Sequence, residues 1–175
     1  MKPFSPDWNY DSSQTGVPGR VLQSVSGDAA TYLSDVFWSK FGEQSDAWSA
    51  VDNRKRLLEA GGLYARPQDY LRMGIHFLKL IDDVHGDDCL KGYARKAVSA
   101  LSTINWARYY GYGYQSWSRN PQLRNDEGMF EPKGSFGQRI VVDSRTRMVA
   151  VAISSHEGDM SRFCALLNKL RGVSL

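Results

Sequence analysis

The 175-residue sequence predicts an α+β fold, with an antiparallel sheet packed by helices in a single domain spanning residues 1–175. Three observations predict it. Apolar residues recur at helical spacing through the early part of the chain and again at its end. Two β-branched runs sit between those regions, separated by a short polar turn. No alternation of strand and helix of the kind that builds a parallel sheet is present.

The elements follow in order. From Val17 to Phe41, apolar residues at Val21, Leu22 and Val25, then Ala30, Leu33, Val36 and Phe37, predict two helices broken at Ser26-Gly27-Asp28, the second capped near Gly27 or Asp28. The stretch GEQSDAWSAVDNRKRLLEAGGLYA has no sustained period and is rich in turn residues, so a long surface excursion is expected before Gly61-Gly62. Pro67, favourable in a first helical turn, and acidic Asp69 then open a helix whose apolar face carries Leu71, Ile75, Leu78 and Ile81. A weaker helical pattern covers LKGYARKAVSALSTI. From Tyr109, the run YYGYGYQSWS alternates aromatic with small or polar residues, as a strand does. GQRIVVDSRTRMVAVAIS reads as two strands joined by Asp143-Ser144-Arg145-Thr146, and GDMSRFCALLNKLRGV as a closing amphipathic helix.

Composition narrows the function classes. A hydrophobic fraction of 42% with 23% charged residues suits a globular core rather than disorder. The 22 basic and 19 acidic residues leave a formal charge of +3 and are interspersed, which gives no support to a nucleic-acid or membrane-surface partner. MKPFSPDWNY lacks the apolar centre of a signal peptide, no apolar run approaches the roughly 20 residues that span a bilayer, and the compartment stays open. Cys89 and Cys164 lack the paired spacing of zinc or redox sites and are expected to be buried free thiols. His76, His85 and His156 share no metal-ligand spacing and form no Ser-His-Asp set, so neither a metal nor another cofactor is expected.

The chemical landmarks are Tyr10-Asp11-Ser12, Gly61-Gly62-Leu63-Tyr64-Ala65 running into Asp69, Tyr112-Gly113-Tyr114, and Gly134-Ser135-Phe136-Gly137-Gln138 before the hairpin. In this order they resemble the β-lactamase-related serine hydrolases, the penicillin-recognising fold, and most of all the branch of 6-aminohexanoate-dimer hydrolases and related esterases. The resemblance implies that the chain is a C-terminal portion of such a domain, with the β-lactamase/transpeptidase-like fold. Tyr10-Asp11-Ser12 looks like the family's tyrosine motif, which makes Tyr10 a general acid/base. Gly134 to Gln138 looks like the glycine-bearing strand beside the oxyanion, with the Ser135 amide as a donor.

The sequence departs from that family in two places. Pro132, Lys133 and Gly134 occupy the Lys-Thr-Gly register, so the lysine stands one place along, which puts carboxylate recognition in doubt. No serine in the chain is followed three residues later by lysine, so the nucleophile motif is missing, and the chain by itself is expected to be inactive. The implied substrate is a small amide or ester, and the implied partner is an N-terminal half or a second copy of the chain.

The chemistry explains why these residue types are needed. A serine hydroxyl is a weak nucleophile at neutral pH and must lose its proton to an adjacent base as it attacks a carbonyl. A phenol with an ordinary pKa of about 10 relays that proton only beside an ammonium group. Backbone N–H groups already aimed at the developing oxyanion contribute roughly 3 kcal/mol each, and glycine allows the close approach.

Structural readings stand beside these roles. Tyr10 alone is a half-buried aromatic, Ser12 a helix cap as readily as a pocket hydroxyl, and Gly134 and Gly137 ordinary punctuation before a hairpin. Gln138 reads as structural. Among the aromatics at 109–117, Tyr112 and Trp117 are the candidates to line a cleft with Ser12, Gly134 and Phe136. A non-catalytic binding module that keeps the pocket and lacks the nucleophile is the alternative function.

Overall fold

In the computed structural model, the described residues are 10–11, 13–40, 44–58, 60–82, 88–98, 102–103, 110–119, 129–156 and 161–172. They form two compact units, residues 1–73 and 74–175.

The first unit holds helices α1 (Ser13–Ser26) and α2 (Ala29–Val36), a single 3₁₀ turn (Trp38–Lys40) and a two-stranded ribbon, β1 (Trp48–Ser49) with β2 (Leu63–Tyr64). Gly27, at φ 73, ends α1, and Asp28 caps α2 by accepting from the N–H groups of Ala30 and Thr31 and from the Thr31 hydroxyl. The expected break between the two helices falls there. The expected surface excursion contains structure that the sequence pattern did not predict. Asp52 holds its turn together through the N–H groups of Arg54 and Arg56 and a paired contact with the Arg56 guanidinium at 2.8 and 2.6 Å. That guanidinium is the main reason the pKa of the partly exposed Asp52 carboxyl is lowered to about 2. Gly62 sits at φ +84, and a Cβ there would lie 2.6 Å from the Cβ of Ala50, so the ribbon closes only around glycine.

Helix α3 (Pro67–Ile81) starts at the expected proline, and the boundary between the two units falls within it. In its first turn Asp69 is buried, pairs with Arg72 at 2.7 Å and accepts the Gln44 N–H. The Tyr70 hydroxyl donates to the Leu63 carbonyl at 2.6 Å and ties the helix to β2.

The second unit is a six-stranded antiparallel sheet in the order β3-β4-β5-β6-β7-β8. Its strands are β3 (Ser102–Thr103), β4 (Tyr110–Gly113), β5 (Ser116–Arg119), β6 (Met129–Glu131), β7 (Arg139–Asp143) and β8 (Met148–Ala152). On one face, Phe77, Leu78 and Ile81 of α3 and Ala97 and Val98 of α4 (Asp88–Val98) pack on Phe130, Ile140, Val142 and Val149. On the other, Phe163 and Leu167 of α5 (Ser161–Leu170) pack on Met129, Val141, Met148 and Ala150. The expected antiparallel sheet packed by helices is therefore observed, with alternate residues of β7 and β8 facing the two helical layers.

The hairpin turn follows its first residue. Asp143 accepts from the N–H groups of Arg145 and Thr146 and from the Thr146 hydroxyl, and the Arg171 guanidinium meets it from the end of α5 at 2.5 Å. Asp143 and the Arg171 side chain are both almost completely buried, so the pair fastens the closing helix to the sheet.

Three expectations are corrected. The helix expected over LKGYARKAVSALSTI is α4, which ends at Val98, and Ser102 and Thr103 belong to the sheet because they pair with Tyr112 and Gly111. The aromatic run is a hairpin rather than one strand, turning at Tyr114 and Gln115, whose φ values of 50 and 61 give the backbone twist of a tight two-residue loop. Cys89 is exposed on α4 and Cys164 is partly exposed, and both are free thiols.

Candidate functional site

The second unit gathers five of the sequence-predicted residues. β6 runs through Pro132 to Lys133, which pairs with Arg139 across the loop Gly134–Gln138. The Gly134 N–H bonds to the Gln138 carbonyl at 2.9 Å, and the Ile140 N–H to the Pro132 carbonyl at 3.1 Å, which closes the loop at its base. Ser135, Phe136 and Gly137 form a short 3₁₀ turn in which Phe136 is left-handed at φ 61 and Gly137 at φ 83. Ser135 and Phe136 face solvent, and among the described residues the Ser135 N–H makes no hydrogen bond. Gln138 is structural, as expected: its side-chain amide donates to the Ser154 carbonyl and accepts the Ser154 N–H, which clamps the entry of β7 to the exit of β8.

A charged cluster that the sequence pattern did not single out lies beside this loop. Glu131 is completely buried and pairs with Arg139 at 2.6 Å and with Lys133 at 3.5 Å. Lys133 and Arg139 are direct cross-strand neighbours of like charge, an arrangement that is unfavourable unless an anion is shared between them, and Glu131 supplies it. Lys133 also lies 5.4 Å over the Trp117 ring, and the Trp117 and Tyr112 rings meet edge to face with centroids 5.2 Å apart. Tyr112 is buried at 6% exposure, and its hydroxyl donates to the Gln115 side chain at 2.9 Å. Tyr112, Trp117, Lys133 and the Gly134 loop thus form one connected strip of the sheet. Glu131 and Arg139 flank the loop at Glu-x-Lys and Gln-Arg, and only knowledge of the strand register would have joined them.

Tyr10 lies in the first unit and is exposed. Asp11 beside it accepts the Ser13 N–H at 2.8 Å, and its carbonyl accepts the Gln14 N–H, so Asp11 opens α1. That Ser13 N–H, and then the Ser13 hydroxyl, hold the Asp11 carboxyl below the usual aspartate range. Ser12 lies outside the described residues, as do Tyr109 and His85. The structure describes Tyr10 and the Gly134 loop each within its own unit. Among the described residues no group of three or more His, Cys, Asp or Glu is placed to hold a metal ion, and no helix is long and apolar enough to cross a membrane.

Over its whole length the chain superposes, with a TM-score of 0.81, on a solved protein of Bacillus anthracis provisionally described as a 6-aminohexanoate-dimer hydrolase. The chain has a hydrolase-like fold. Sequence identity is 19%, so the likeness is one of fold, and the chain spans about half, 47%, of that protein's length. No protein-family model matches the chain, and no curated protein matches it.

Proposed function

We propose that the chain is a portion of a β-lactamase-related serine hydrolase that cleaves amide or ester bonds through an acyl-serine intermediate. The observation that carries this reading is the superposition of the entire chain on a hydrolase about twice its length. The exposed Ser135 amide on its left-handed loop supports it. Tyr10 is the general acid/base and the Ser135 N–H an oxyanion donor, with Ser12, Gly134, Phe136, Tyr112 and Trp117 as substrate-contacting positions. The attacking serine and its lysine come from a Ser-x-x-Lys segment that these 175 residues do not contain. The serine oxygen bonds to the carbonyl carbon and its proton passes to the base. The leaving amine or alcohol departs with a proton returned through Tyr10, and water then releases the acyl group.

Two outcomes test this. The chain alone turns over p-nitrophenyl acetate no faster than buffer. With an N-terminal polypeptide carrying Ser-x-x-Lys, turnover appears and Tyr10→Phe removes most of it. Absence of turnover across several such polypeptides rejects the reading and leaves the binding module, which the missing nucleophile favours and which retained ligand affinity without turnover would establish.

A further inference from the structure

The loop Gly134–Gln138 keeps a costly shape with little packing to support it. Phe136 and Gly137 are left-handed, and Gly134, Ser135 and Phe136 face solvent. Apolar burial therefore does not fix the loop, and what fixes it has to act at its base. There the chain draws in closely: a Cβ on Gly134 would lie 3.0 Å from the Gln138 Cβ. Immediately outside that neck stand Lys133 and Arg139, paired across the two strands.

Two cations at the neck of a loop push it open unless an anion lies between them. Glu131, two residues before Lys133 on β6, is that anion, and its carboxylate oxygens are divided between the two cations. Oε1 accepts from the Arg139 guanidinium at 2.6 Å, and Oε2 faces the Lys133 ammonium at 3.5 Å. The surroundings strengthen both contacts. Glu131 is 0% exposed and the Lys133 and Arg139 side chains 18 and 16%, so water screens little of the attraction, or of the repulsion that would replace it. By strand alternation Glu131 shares a face with Met129, which packs in the α5 layer, and a carboxylate in such a place is kept charged by its partners alone.

We propose that Glu131 is a positioning residue: by holding Lys133 and Arg139 together it closes the neck of the Gly134 loop and so sets where the Ser135 N–H points. The catalytic consequence rests on the serine-hydrolase reading, in which that N–H meets the oxyanion. The effect on loop shape needs no catalytic chemistry.

Glu131→Gln, which keeps the side-chain shape and removes the charge, tests this in the full chain. The amides of Gly134 and Ile140, which bond across the neck, should exchange with solvent about tenfold or more faster than in the parent. The Val142 amide, farther along the same strand pair, should keep its rate and so report an intact sheet. Adding Lys133→Met removes one of the two repelling cations and should return the Gly134 and Ile140 rates most of the way, a repair that the plain loss of a buried side chain would not show. Unchanged rates at Gly134 and Ile140 overturn the proposal, as does an acceleration that Lys133→Met does not relieve. If Glu131→Gln alone fails to fold, recovery of the fold on adding Lys133→Met supports the proposal, and no recovery overturns it. In the complemented enzyme, with sites counted by the p-nitrophenol burst, Glu131→Gln should lower kcat for p-nitrophenyl acetate about tenfold or more at little change in KM, because an oxyanion donor acts in the transition state. An unchanged kcat per counted site overturns the catalytic role. If even the parent shows no turnover on complementation, the serine-hydrolase reading falls, and the exchange rates still decide whether Glu131 shapes the loop.

Discussion

Gly74 shows how a single residue sets the spacing between α3 and the sheet. It is buried in the helix, and a Cβ built on it would lie 2.5 Å from Val149 Cγ1 and 3.0 Å from Ile140 Cγ2. Both neighbours are β-branched and held in one rotamer by their strands, so neither yields easily. Alanine is the better helix former by about 1 kcal/mol, but overpacking a filled core costs about 1–3 kcal/mol. We therefore expect Gly74→Ala to destabilise the chain by up to about 2 kcal/mol, toward the upper end because the clash is with two β-branched side chains, measured as a lower urea midpoint at unchanged slope. An unchanged or higher midpoint would mean that α3 is free to move off the sheet. Phe136 is a second residue whose conformation asks for explanation: it is 59% exposed yet left-handed, a backbone state that costs a non-glycine residue on the order of 1 kcal/mol. Little burial offsets that cost.

At the level of elements, local signals were legible and long-range ones were not. Asp28 after Gly27, Pro67 before an apolar period, and two β-branched runs around Asp143 each specify their element with residues close in sequence, and α2, α3 and the β7–β8 hairpin form as expected. β6 carried no such signal. It is three residues, all buried, with no alternation to read, and it belongs to the sheet because Phe130 pairs with Ser118 on one side and Val142 on the other. β3 was hidden for the same reason, its residues being defined by partners on β4. In the candidate site, the Gly134 loop announced itself through its glycines, whereas the Glu131 cluster exists only once β6 and β7 are in register. Helix α3 also carries a pH dependence. Partial burial, and then the charge of Lys79, hold His76 below its usual 6.5. The protonated form is thus disfavoured in the folded chain, so the unfolded chain takes up the proton first. Stability contributed by neutral His76 is complete above 6.5 and declines as pH falls through that value toward the lower folded one. The urea midpoint should fall between pH 7 and pH 5.5, and His76→Gln should flatten that part of the profile; an identical slope in the variant would exclude the residue as its source.

Across the whole chain, each unit exposes apolar structure of a different kind, and physical reasoning ranks them. In the first unit, Val17, Val21 and Val25 fall at successive four-residue steps of α1 and are 63, 56 and 76% exposed. In the second, β8 pairs only with β7 among the described residues and offers backbone groups along its other edge. A valine stripe attracts without direction and is satisfied by any apolar surface, while an edge strand adds directional hydrogen bonds that template a further strand and then another. The edge should therefore govern self-association when the chain is heated alone. We expect Val151→Pro to reduce light scattering on heating severalfold and to remove the infrared band of intermolecular β-structure. Replacing Val21 and Val25 together by lysine should reduce scattering less, leave that band in place and change folding stability by no more than about 0.5 kcal/mol, because both side chains are more than half exposed. If instead the lysine pair abolishes the band and the proline does not, α1 is the adhesive surface, and the strand-like character of β8 has no consequence for assembly.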